Sequence, residues 1–136
     1  MPLYQISAGK AALIRTTNIQ LEKDLQTLIE ANLDAIFSCR FVASEFPTGE
    51  KHGGRPDTLA LSEDDNPVII EYKRGETSPI TQALFYLSWL ADHHGDFQVA
   101  VSKRLGAGVD VDWTDIRVIC IAPSYSKYDL HAVQVM

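Results

Sequence analysis

The segment Gly53–Gly75, GGRPDTLALSEDDNPVIIEYKRG, carries Asp57 at the head of one apolar run and Glu71 and Lys73 at the tail of the next. The two runs, 58–62 and 67–73, are joined by the polar turn Ser-Glu-Asp-Asp-Asn, the pattern of an antiparallel hairpin. Folding that hairpin about its middle sets Asp57 opposite the neighbourhood of Glu71 and Tyr72. Side chains alternate along a strand, so Glu71 and Lys73 share one face and Tyr72 takes the other. With Asp57 on that shared face, the three groups converge at one end of the hairpin; a one-residue slip in register would turn Asp57 away. Two close carboxylates repel unless a cation lies between them. Mg²⁺ suits such a place, because it accepts one or two carboxylates and completes its shell with water and phosphate oxygens. A metal held there polarises a phosphoryl oxygen and makes a nucleophile of a bound water. Lys73 beside it would hold the hydroxide or offset charge on a pentavalent phosphorane. The constellation points to phosphodiester hydrolysis; the plainer alternative is a structural salt-bridge cluster at a sheet end.

The elements that must position these groups follow from periodicity. Asn18 is an N-cap for a helix running to about Phe37, with Leu21, Leu25, Leu28, Ile29, Leu33 and Ile36 forming an apolar stripe. Glu22 projects between Ile29 and Leu33, inside that stripe, whereas Glu30 points away from its centre. A carboxylate on a core-facing stripe needs a partner, although an early acidic residue also suits the helix dipole. Strands are expected at 40–46, 58–62, 67–73, 97–102, 116–122 and 131–136, with 116–122 central because it is nearly all apolar. The last of these reaches the final residue, as in a piece excised from a longer protein. A second helix spans the sequence SPITQALFYLSWLADHHG, capped by Ser78, opened by Pro79 and ended by Gly95. It is apolar nearly all round and expected to be largely buried, with Phe85, Tyr86 and Trp89 in the core. Residues 3–7 and 12–16 form a hairpin, so the chain divides into an extension, 1–16, and a domain, 17–136. The class is α/β, a mixed sheet flanked by helices.

Arg-Pro-Asp, followed after thirteen residues by Glu-Tyr-Lys, resembles the Pro-Asp…Glu-X-Lys signature of the PD-(D/E)XK nuclease superfamily. The glutamate-bearing first helix, the strand–turn–strand and the TQALFYLSWL helix come in that superfamily's order. More narrowly, GRPDTLAL…VIIEYKRG…TQALFYLSWL is similar to the EndoMS/NucS-type nuclease domain and its bacterial relatives. The resemblance covers residues 17–136 and implies a restriction-endonuclease-like fold. It implies Asp57 and Glu71 as metal ligands, Lys73 as the catalytic lysine and Glu22 as the helix glutamate completing the acidic site. Gln82 matches the glutamine that supports the site. Arg55 and Arg74 are candidates for contact with backbone phosphates. The implied activity is a Mg²⁺- or Mn²⁺-dependent hydrolysis of DNA. Homodimerisation and a separate DNA-binding or partner domain are also implied, and the second reading is a nuclease-fold binding or assembly module without activity of its own.

Composition is compatible with both readings. The 136 residues suit one domain, with 46% hydrophobic and 22% charged residues. The net charge of −6 argues against a protein that coats nucleic acid, yet Lys51, His52, Arg55, Lys73 and Arg74 gather around the candidate site. No apolar run is long enough to span a membrane and the start lacks an export signal, so a cytoplasmic protein is expected. Cys39 and Cys120 lack zinc-site spacing and are expected to stay reduced. His93 and His94 suit a helix C-terminus, and Gly53-Gly54 gives backbone freedom near Asp57.

Overall fold

A computed structural model describes residues 3–7, 10–14, 22–49, 54–72, 79–122 and 127–135. Strands β1 (Leu3–Ser7) and β2 (Lys10–Ile14) pair antiparallel as a sheet of their own, the second starting at Lys10 opposite Ser7 rather than at Ala12. The long helix expected from 18 to 37 is two pieces, α1 (Glu22–Ala31) and α2 (Leu33–Phe37). Asn32 parts them at φ −129°, ψ 24°, its side-chain amide donating to Leu28 O at 2.8 Å. This is the competition with the helix backbone that makes asparagine a poor interior residue. Ser38 ends α2 in the left-handed region at φ 54°, its N–H donating to Asp34 O.

Four strands make the main sheet: β3 (Cys39–Ser44), β4 (Thr58–Ser62), β5 (Pro67–Tyr72) and β6 (Arg117–Ile121), in that spatial order. The first three are antiparallel neighbours and β6 runs parallel to β5. The parallel pairing requires a crossover, and α3 (Pro79–Asp92) and α4 (His94–Leu105) lie within it; α5 (Lys127–Val135) follows β6. Every residue of β4 and β5 is buried, because each face of the sheet has its own layer. Leu59, Leu61 and Ile69 pack with Tyr86, Trp89 and Leu90 of α3 and Phe97 and Val101 of α4. On the other face, Ala60, Val68, Ile70 and Tyr72 pack with Ile29 and Leu33 of α1 and α2.

Several sequence expectations are corrected. Residues 97–102 are helix, not strand: Phe97 and Val101 are buried while Val99 between them is 54% exposed, a period of four rather than two. Gly95 therefore lies inside α4, and α3 stops at Asp92. Residues 131–135 also belong to a helix, since short apolar alternation does not by itself separate the two periods. Segment 116–122 supplies β6 at the end of the sheet rather than its centre; Val118 packs on one layer and Ile119 and Ile121 on the other, which accounts for its apolar run. Helix α3 buries Tyr86 and Trp89 as expected but leaves Leu84 and Phe85 exposed.

Candidate active site

The β4–β5 register pairs Leu59 with Ile69 and Thr58 with Ile70, so one step further sets Asp57 opposite Glu71. Strand alternation carries both positions to the Leu59 and Ile69 face, beneath α3 and α4. The Asp57 N–H donates to Glu71 Oε1 at 2.9 Å, and the Tyr72 N–H donates to Asp57 Oδ2 at 3.0 Å. Each carboxylate is thereby oriented by a backbone donor of the opposite strand. Glu71 is fully buried, a position a carboxylate tolerates only with strong partners.

The segment entering Asp57 is anchored from two sides. Thr48 donates from its backbone and hydroxyl to Gly54 O at 2.9 and 2.8 Å, and its hydroxyl accepts the Gly54 N–H at 3.0 Å. The Tyr86 hydroxyl accepts from the Arg55 N–H at 3.1 Å and from Gln82 Nε2 at 3.3 Å. Gly54 is glycine for lack of room: a Cβ there would lie 2.7 Å from Tyr86 Oη. From behind, Asp57 O accepts from the Glu45 N–H at 3.0 Å and from Gln26 Nε2 at 2.8 Å.

Asp57 and Glu71 thus stand together. Gln82 joins the Asp57 lead-in through Tyr86, and the Arg55 side chain is exposed beside it. Glu22 is the first residue of α1, one turn before Gln26 on the same helix face. Its side chain, and Lys73 and Arg74 entirely, lie outside the described residues. The expectation for Glu30 is corrected. Its Oε2 accepts from Thr58 Oγ1 at 2.7 Å and from Gln26 Nε2 at 3.1 Å, so it faces the sheet. Leu28 and Ile36, both counted in the apolar stripe, are each 49% exposed; the buried side is set by Gln26, Ile29 and Leu33. Gln26, Glu30, Thr58 and Tyr72 were missed as site neighbours. For Gln26 and Glu30 the one sequence signal is the polar row Glu22, Gln26, Glu30 at four-residue intervals. Burial, and then the carboxylates of Glu30, Asp57 and Glu71, push the Tyr72 phenol above its ordinary range.

Among the described residues no group of three or more His, Cys, Asp or Glu is arranged around a common metal position. Asp57 and Glu71 form an all-oxygen pair with fixed orientation, and that donor set fits a hard divalent cation that keeps open positions.

An uncharacterised protein of Haemophilus influenzae is 31% identical over 137 residues, covering 97% of this chain and 44% of the relative. EndoMS, solved in complex with double-stranded DNA, superposes with a TM-score of 0.59 at 20% identity, over 92% of this chain and 47% of that one. A repair endonuclease from Pyrococcus abyssi gives 0.51 at 18% identity, over 89% and 46%. No family model matches the chain. The chain has an EndoMS/NucS-like nuclease fold, the mixed-sheet α/β architecture of these endonucleases, and it spans less than half the length of the proteins it matches.

Proposed function

We propose that this chain is a nuclease domain that hydrolyses DNA phosphodiester bonds with Mg²⁺ or Mn²⁺. The observation that carries the reading is the reciprocal locking of Asp57 and Glu71 across the end of β4 and β5. The fold supports it, since its neighbours are endonucleases and one was solved on double-stranded DNA. Asp57 and Glu71, with Glu22 from the start of α1, would hold the cation. When bound, the cation supplies phosphoryl polarisation and an acidified water. Lys73, two residues beyond Glu71, would steady the negative charge that builds on the phosphorane. Gln82 supports the site through Tyr86, and Arg55 and Arg74 would grip backbone phosphates on either side. Among the described residues no helix is long and apolar enough to cross a membrane, and we place the activity in the cytoplasm. Homodimerisation, or a further domain that carries the DNA, belongs to the same reading.

Asp57→Asn and Glu71→Gln keep the acceptor oxygens that bind Tyr72 N–H and Asp57 N–H, so both variants should fold. Each is expected to lower Mn²⁺-dependent DNA cleavage by at least about 100-fold, since even outer partners of metal ligands cost about 10–100-fold. Cleavage at the parent rate by either variant would refute the assignment. The net charge of −6 favours the second reading, a binding or assembly module. Calorimetric Mn²⁺ titration separates the two, because the module has no need to bind metal through Asp57 and Glu71.

A further inference from the structure

We infer that Gln26 is a positioning residue that fixes Asp57 and the first turn of α1 relative to each other, so that metal affinity is set from behind the carboxylate pair. The inference rests on the nuclease reading of Asp57 and Glu71. Gln26 is 5% exposed, and its Nε2 faces three acceptors: Asp57 O at 2.8 Å, Ser44 Oγ at 2.9 Å and Glu30 Oε2 at 3.1 Å. An amide nitrogen brings two hydrogens to those acceptors without bringing charge. The contacts continue beyond Glu30. Thr58 Oγ1 donates to Glu30 Oε2 at 2.7 Å, which leaves Tyr72 Oη to donate to Thr58 Oγ1 at 3.0 Å. The Tyr72 N–H then donates to Asp57 Oδ2.

The path leaves Asp57 at its carbonyl and returns at its carboxylate, a closed circuit in which moving Asp57 breaks bonds at two places. Buried polar circuits of this kind are rigid when fully satisfied, and costly when one donor is removed. Gln26 and Glu30 are the two residues through which the circuit meets α1, and Gln26 stands one turn after Glu22. The Gln26 amide therefore holds the strand end that carries one proposed ligand and the helix start that carries another. Gln26, Glu30, Thr58 and the Tyr72 ring lie on the sheet face opposite the carboxylate pair, so their effect is on where the ligands stand.

Gln26→Met removes both N–H groups at similar volume. It is expected to weaken Mn²⁺ binding about tenfold or more, read from the electron paramagnetic resonance signal of free Mn²⁺. The Mn²⁺ concentration giving half-maximal DNA cleavage should rise by the same factor, with a smaller loss at saturating metal. Thr27→Ala, on the exposed side of α1, should leave both unchanged. Should Gln26→Met fail to fold by circular dichroism, Thr58→Val opens the circuit on its far side and is likewise expected to weaken Mn²⁺ binding. A folded Gln26→Met, or Thr58→Val in its place, that binds Mn²⁺ as tightly as the parent overturns the inference alone. A parent protein that binds no Mn²⁺ overturns the nuclease reading and this inference with it.

Discussion

Tyr72 uses its two ends differently: its N–H orients the Asp57 carboxylate, and its hydroxyl closes the contacts that run back through Thr58 and Glu30. Its phenol is 1% exposed and lies near three carboxylates, so ionisation is disfavoured in the folded state relative to the unfolded chain. Above the ordinary tyrosine range, near pH ~10, the unfolded chain loses this proton while the folded protein keeps it. Stability is therefore unaffected by Tyr72 below that pH and falls as pH rises past it, by up to about 1.4 kcal/mol per pH unit for one group. Tyr72→Phe should flatten that alkaline decline in urea titrations at pH 9 to 11, at a cost near neutrality of about 1 kcal/mol for the lost hydrogen bond. A decline as steep in the variant as in the parent would assign the proton elsewhere. At this scale, Asp57 facing Glu71 was legible because a hairpin with period-two alternation is a local rule. Gln26 was not, since its acceptors on Ser44 and Asp57 come from distant stretches of chain.

Residues 45–49 and 54–57 show how a helix and two strands share control of one residue. Thr48 holds Gly54 from the β3 side, Tyr86 of α3 holds Arg55, and Asp57 is what residues 54–57 deliver to β4. Gly54→Ala would put a methyl 2.7 Å from Tyr86 Oη and 2.9 Å from its ring Cε1. Tyr86 is 4% exposed and cannot swing freely. The expected loss is about 1–3 kcal/mol, the usual range for overpacking, measured by urea denaturation. The loss should shrink in a Tyr86→Phe background, where the nearest atom is gone; an unchanged loss would mean that the crowding lies elsewhere. The elements themselves were unevenly legible. Strands β3 to β5 were found because their apolar runs are bounded by turns. The segment around Phe97 and Val101 was misread because its β-branched valines outweighed a four-residue spacing that becomes decisive only against a sheet face. The Asn32 break was hidden inside a stripe that continues through Leu33, so its polar side chain was the sole clue to the end of α1.

Taken as a whole, the molecule separates its near contacts from its far ones. Strands β3, β4 and β5 meet their neighbours through successive antiparallel pairings, whereas β6 reaches β5 only after residues 73–116 have been looped out and their helices laid down. Closing a longer loop costs more entropy, and non-local pairing is the slow part of folding. The hairpin that brings Asp57 to Glu71 can therefore form early, while the layer of Phe97, Val101 and Trp89 that buries its face closes late. The carboxylate charge that Glu71 carries in the unfolded chain at neutral pH is then moved toward the interior as that layer closes, where desolvation opposes it. Replacing that charge by the neutral amide in Glu71→Gln should speed refolding in stopped-flow intrinsic fluorescence, even as it removes a proposed ligand. Equal refolding rates would place the desolvation after the rate-limiting step. The carboxylate suited to holding a cation in the finished protein is, on this account, a brake on the chain's own assembly.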